Sequence, residues 1–210
     1  IFHSGNDSGH FRSLADVVGS NWSLTGDQTV MGQPRYLPLY EQNMIHMDDH
    51  RFATHQDANG VSSETRRRVT DSEHSDACFA VQPKSWVDAE IVRATYKSKS
   101  LDANWLIAFR KSVRIGDVRT GIFCAIPFAG VSDSIHLISC NLERGFAPLL
   151  LSQLGSYSFD FVFRQCLGGA NASFYIMKQL PVITPESYEK ALLFNVGTFH
   201  NWAIRRVVEL

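Results

Sequence analysis

Two groups of side chains in this 210-residue sequence have the make-up of a chemical site. The first is His46-Met47-Asp48-Asp49-His50. Histidines at i and i+4 share one helix face, and with a carboxylate beside them they can hold zinc in a pattern close to H-x-x-E-H. Asp49 is shorter than the glutamate of that motif, and no third ligand is obvious downstream, so the bland reading is a polar helix or loop edge whose histidines bond locally. The second group is Phe109 to Thr120, where Arg110, Arg114 and Arg119 lie between two apolar runs. Guanidiniums delivered together can grip phosphates or read guanine through two parallel hydrogen bonds. They can equally pair with Asp102, Asp117 and Asp160, since surface ion pairs are frequent and weak.

The charge distribution sharpens the second group. Net charge is -1, yet residues 1–92 carry seven Lys/Arg against thirteen Asp/Glu, whereas residues 93–119 carry seven against two. One short central segment therefore holds the positive field. A further run, Arg66-Arg67-Arg68, sits in residues 55–77, a polar stretch without periodicity that reads as a mobile surface loop.

The elements that must position these residues follow from the apolar pattern. At 44% hydrophobic and 20% charged, with fourteen Phe, the chain can bury a core and is globular. Trp105 to Phe109, Ile122 to Phe128 and Ile135 to Ile138 read as strands. Leu150, Leu154, Tyr157, Phe161 and Gln165 recur on one helical face, which predicts a helix over about 147–167 with Gly168-Gly169 as a left-handed stop. Phe174 to Leu180 reads as a strand, Thr184-Pro185 opens a helix to about Phe194, and Trp202 to Leu210 forms a last helix. A short helix is expected near Phe11 to Val18. The fold class expected is α+β, a mixed sheet with several helices and no complete Rossmann-type core, since the strand-helix alternation of a doubly wound sheet is absent. Residues 1–35 form a lead-in segment and 36–210 the main region.

Other signals exclude classes of function. Nucleotide-binding G-x-G-x-x-G and G-x-x-x-x-G-K and the G-x-S-x-G elbow are absent. The longest near-apolar stretch, Gly121 to Val131, is far short of the roughly 20 residues of a membrane span. Cys78, Cys124, Cys140 and Cys166 are widely spaced, three of them in apolar surroundings, which favours reduced thiols and a cytoplasmic location. The glycosylation triplets at Asn6, Asn21 and Asn171 carry no weight in such a chain. The start at Ile1 and the apolar pattern running to Leu210 read as a fragment.

Several ordered blocks resemble adenine-specific DNA methyltransferases of the fused restriction and modification type (type IIG), in the region after the catalytic domain. They are Asn6-Asp7-Ser8 with Phe11-Arg12; Tyr36 to Glu41, Met44-Ile45-His46 and Asp49 to Phe52; Trp86-Val87; Phe109, Arg110, Arg114, Arg119 and Thr120 with Ala125-Ile126-Pro127; Ser156, Phe159-Asp160 and Arg164; Gly168-Gly169 with Lys178 to Val182; and Arg206 to Leu210. Asn43, Asp48, Asn171 and Ser173 depart from the family pattern, which puts any role at those positions in doubt.

The resemblance implies a target-recognition-like domain that binds and positions double-stranded DNA for base flipping. Methyl transfer from S-adenosylmethionine would be done by an upstream domain of the same chain, where the Asn-Pro-Pro-Tyr loop and the cofactor-binding turn would lie. It implies no catalytic, cofactor-binding or metal-binding residue within this chain. The DNA-facing set expected is Arg110, Arg114, Arg119, Thr120 and Arg164, with Arg66, Arg67 and Arg68 as auxiliary phosphate contacts. For Arg164, the i,i+4 spacing favours a structural bond to Asp160. The other readings are a metal-dependent hydrolase built on His46, Asp49 and His50, and a non-catalytic interaction module.

Overall fold

The computed structural model describes residues 1–18, 35–101, 104–139, 145–191 and 197–208. In chain order the elements are β1 (Phe11–Arg12), α1 (Leu14–Val18), β2 (Tyr36–Tyr40), β3 (Ala53–Gln56), β4 (Ser62–Arg68), α2 (Asp71–Ser75), β5 (Trp86–Asp88), α3 (Ala89–Ser98), β6 (Trp105–Arg110), β7 (Phe123–Pro127), β8 (Gly130–Val131), β9 (Ile135–Ile138), α4 (Phe146–Leu154), α5 (Tyr157–Cys166), α6 (Phe174–Met177), α7 (Pro185–Tyr188) and α8 (Phe199–Val208). The class is α+β, as the sequence predicts.

The organising element is the antiparallel sheet β7-β6-β9. Successive side chains of a strand point to opposite faces, so a strand buried on both sides is apolar throughout. β6 is such a strand. Leu106 and Ala108 join Cys124, Ile126, Ile135 and Leu137 in one core, whereas Ile107 and Phe109 join Phe123 in a second. The first core is closed by α3 and by a four-stranded sheet ordered β1-β5-β2-β8. Asp88 caps α3 by accepting from Glu90 N at 2.8 Å, and Ala89, Val92 and Tyr96 turn one face inward. Pro38 is tolerated inside this sheet. Leu39 N donates toward β5, to Ser85 O, so Pro38's missing N–H faces β8, which pairs only with Leu39 and Tyr40. Phe11–Arg12, from the lead-in segment, extends the sheet at its other edge.

The second core lies under α4, α5 and α6. Phe159 and Phe163 are one helical turn apart and both buried, with Phe123 packed edge-on to Phe159 at 5.8 Å between ring centres. A third, small cluster joins α4, α7 and α8 through Leu149, Tyr188 and Ala203.

Several expectations require correction. Residues 55–77 are not a loop: they supply the end of β3, all of β4, and α2. The helix expected over 147–167 is two helices, broken at Gly155-Ser156, because the Ser156 hydroxyl caps α5 by accepting from Phe159 N at 3.2 Å. α5 ends at Cys166 without a left-handed glycine; Gly60 and Gly197 are the described glycines with positive φ. Phe174 to Leu180 is not a strand, since Ser173 caps the short helix α6. The helix after Thr184 runs from Pro185 to Tyr188, and Phe194 lies outside the described residues. The first helix starts at Leu14, because Phe11–Arg12 pairs with β5. Cys124 is buried, but Cys78 and Cys166 are exposed; Cys140 lies outside the described residues.

Candidate nucleic-acid interface

The hairpin of β3 and β4 turns through Asp57 to Val61, where Asp57 Oδ1 accepts from Asn59 N and Val61 N, each at 2.8 Å, and Gly60 takes φ 83°. Alternation along β4 then separates the three arginines. Arg67 faces inward: its guanidinium grips Glu73 two-pronged, at 2.6 and 2.7 Å, and reaches the Asp57 and Arg68 carbonyls at 3.2 Å. Glu73 is also the acidic partner of the capping box opened by Thr70. The Arg67 hydrogen bonds, first among several donors, hold the Glu73 carboxyl down to about 2. Arg66 and Arg68 face outward. Arg66 lies 3.6 Å from Glu41 and donates to Asn43 at 3.0 and 3.1 Å once that amide is turned to accept.

The loop between β6 and β7 treats its arginines differently. Arg110, at the end of β6, donates from Nε and Nη2 to the Ile45 carbonyl at 3.1 and 2.5 Å. Its pKa is lowered by burial. Arg119 donates to the Gly155 carbonyl and stacks over Tyr157 at 4.5 Å. The Gly155 carbonyl lies at the break between α4 and α5, where a helix-terminal carbonyl lacks an intrahelical donor. Thr120 is buried, and its N–H and that of Gly121 both donate to Asp160, at 2.9 and 2.7 Å. Arg164 closes this clasp, donating to Thr120 Oγ1 at 2.7 Å, to the carbonyls of Asp117 and Val118, and to Asp160 at 3.4 Å. Gly121 is required there: a Cβ would meet the Phe123 ring at 2.5 Å and Phe163 at 3.0 Å. Arg114 alone of the four arginines is exposed, with no side-chain partner among the described residues. Asp102, a possible pairing partner, lies outside the described residues.

Between the hairpin and the end of β6 the structure gathers a group the sequence does not mark as one. The Phe52 ring is stacked by His46 at 4.6 Å, and the guanidiniums of Arg68 and Arg110 lie over it at 5.0 and 5.9 Å. Arg66 is close enough to depress Arg110 electrostatically, and His46 is lowered by burial, then by Arg110 and Arg68. Two arginines and a histidine thus border one aromatic ring, with Arg66 nearby and Glu41, Asp49 and Asp117 as neighbouring carboxylates. A phosphate would relieve that repulsion, and guanidiniums already held over a ring need little reordering to accept it. His46 and Phe52 are six apart and Arg66 lies fourteen further on, so no helix or strand period joins them; only the adjacency of Ile45 and Phe52 to the histidine cluster was visible.

His46, Asp49 and His50 do not form a helical metal face. His46 and Asp49 exchange backbone hydrogen bonds in a tight turn, with Asp48 at φ 54°. Asp49 Oδ1 accepts from Arg51 N at 2.8 Å, and its other oxygen lies 3.6 Å from His74. Among the described residues no three His, Cys, Asp or Glu side chains could share a metal ion. Among the described residues parallel pairing is confined to β2 with β8 and an isolated bridge from Phe2 to Ser132, so they hold no doubly wound sheet with a crevice at the carboxyl ends of its strands.

Comparison with protein-family models, with curated proteins and with solved structures returns no match for this chain. No helix among the described residues is long and apolar enough to cross a membrane.

Proposed function

We propose that this chain binds and positions double-stranded DNA as part of an adenine-specific DNA methyltransferase of the type IIG kind. Transfer of the methyl group from S-adenosylmethionine falls to an upstream domain of the same polypeptide. The observation that carries the reading is the group of Arg68, Arg110 and His46 around Phe52, with Arg66 beside it on the outward face of β4. Arg66, Arg68 and Arg114 make the phosphate contacts, which set register and salt-dependent affinity. Arg67, Arg119, Thr120 and Arg164 support them from within, by holding the hairpin and the β6–β7 loop in place. The resemblance supports the same reading, because blocks far apart in sequence pack on one another. Arg110 bonds Ile45, and Thr120 bonds Asp160 and Arg164.

The test is methyl transfer by a polypeptide that includes the codons preceding Ile1. That frame should encode Asn-Pro-Pro-Tyr, and the product should label adenine in duplex DNA from radioactive S-adenosylmethionine. Arg66→Gln with Arg68→Gln should raise KM for DNA about tenfold or more, with kcat retained. A preceding frame without the motif, or labelling indifferent to these arginines, contradicts the reading.

A further inference from the structure

α5 carries twice as many aromatic residues as its core needs. Phe159 and Phe163 fill the second core, while Tyr157 and Phe161, on the opposite face, are 80% and 65% exposed. Val118, on the adjoining β6–β7 loop, is 91% exposed. Large rings on an already packed helix contribute nothing to burial where they stand, and contiguous exposed apolar surface marks a contact site.

The surroundings say what kind of contact. The Arg119 guanidinium covers one face of the Tyr157 ring at 4.5 Å and is itself tied to the Gly155 carbonyl, so the ring is backed by a fixed cation. At 80% exposure the other ring face is open. Arg164, from the next turn of α5, reaches the carbonyls of Asp117 and Val118, so loop and helix present one continuous surface. Two guanidiniums, Arg119 and Arg164, belong to that surface. Among the described residues the exposed carboxylates there are Asp48, beside Arg119, and Asp117; Asp160 is buried and occupied by the N–H groups of Thr120 and Gly121. Exposed rings with cations at their base and rim match the way single strands are held, with bases stacked on aromatic faces and the backbone drawn by positive charge. A purely apolar protein partner would leave those guanidiniums facing hydrocarbon.

We infer that Tyr157 and Phe161 form a stacking platform for unpaired nucleobases of DNA. This inference rests on the DNA-binding reading above and adds to it a second ligand form, unpaired strand, on a surface distinct from the Phe52 group. Val118 flanks the platform, and Arg119 fixes the inner ring.

The experiment measures the affinity of the chain for a labelled short oligo-dT and for a mixed-sequence duplex, by fluorescence anisotropy. Tyr157→Ala and Phe161→Ala should each weaken oligo-dT binding about tenfold, while duplex affinity changes far less. Tyr157→Phe, which keeps the ring, should restore wild-type binding. Circular dichroism controls for folding, which exposed rings should not affect. Duplex binding with oligo-dT affinity indifferent to both alanine variants overturns the platform and leaves the DNA reading standing. Failure to bind either ligand overturns both. If the alanine variants instead convert a wild-type dimer to monomer on sedimentation, with no effect on oligo-dT, the face is an interface between copies of this chain and the platform is wrong.

Discussion

Asp160 is 5% exposed, and its carboxylate oxygens receive Thr120 N, Gly121 N and Arg164. A buried acceptor with several donors is hard to replace, because removing it strands each of them. Asp160→Ala should therefore lower unfolding free energy by about 3 kcal/mol or more in urea titration. Gly121→Ala, which drives a methyl group into the Phe123 and Phe163 rings, should cost about 1 to 3 kcal/mol. An unchanged midpoint for both would remove the clasp from the account. One half of this clasp was legible, since Asp160 and Arg164 stand at helical i,i+4 spacing. The other half was not. Arg119 meets Gly155 across 36 positions, and no local pattern announces that a carbonyl at a helix break will need a donor.

β4 shows why an element can be missed when its residues carry no apolar pattern. Strand prediction looks for apolar alternation, but β4 is Ser-Ser-Glu-Thr-Arg-Arg-Arg and is largely solvent-facing. The signals present were of another kind: the Asn59-Gly60 turn and the Thr70-x-x-Glu73 capping box. Alternation decides the arginines once the strand is known. Arg67→Gln should release Glu73 and reduce stability by about 1 kcal/mol, measured as a lower denaturation midpoint, while leaving DNA affinity near wild type. Loss of DNA affinity with stability intact would reverse the assignment of strand faces. The break between α4 and α5 was likewise readable in principle, as glycine followed by a serine cap. The apolar periodicity continues across it, and that signal dominated.

Across the whole molecule, the strands β6, β7 and β9 were legible because a sheet buried on both faces leaves continuous apolar runs. How the layers on either side meet them was not, since β1 and β2 on one side and α4 to α6 on the other reach β6 from distant chain segments. Burial in this double-cored arrangement also sets a pH dependence. His46, His50 and His136 all have their pKa lowered from the ordinary 6.5, by desolvation first in each case. As pH falls through 6.5 the unfolded chain takes up protons before the folded one does, so stability is progressively lost from there downward. Glu73, held near 2, gives up its contribution only below its ordinary 4.5. Melting temperature should accordingly fall between about pH 7 and pH 5.5. A flat or rising profile would mean that these imidazoles are as readily protonated in the fold as out of it.

On the proposed function, Arg66, Arg68 and Arg114 face a polyanion while Arg67, Arg119 and Arg164 serve the fold. The slope of log affinity against log salt for duplex DNA tests it directly, because each phosphate contact contributes about 0.9 to that slope. Replacing Arg66, Arg68 and Arg114 together by glutamine should flatten the slope by about 2 to 3 and weaken binding across sequences. A slope identical to that of the unaltered chain, or no measurable binding of duplex at low salt before any substitution, would contradict it.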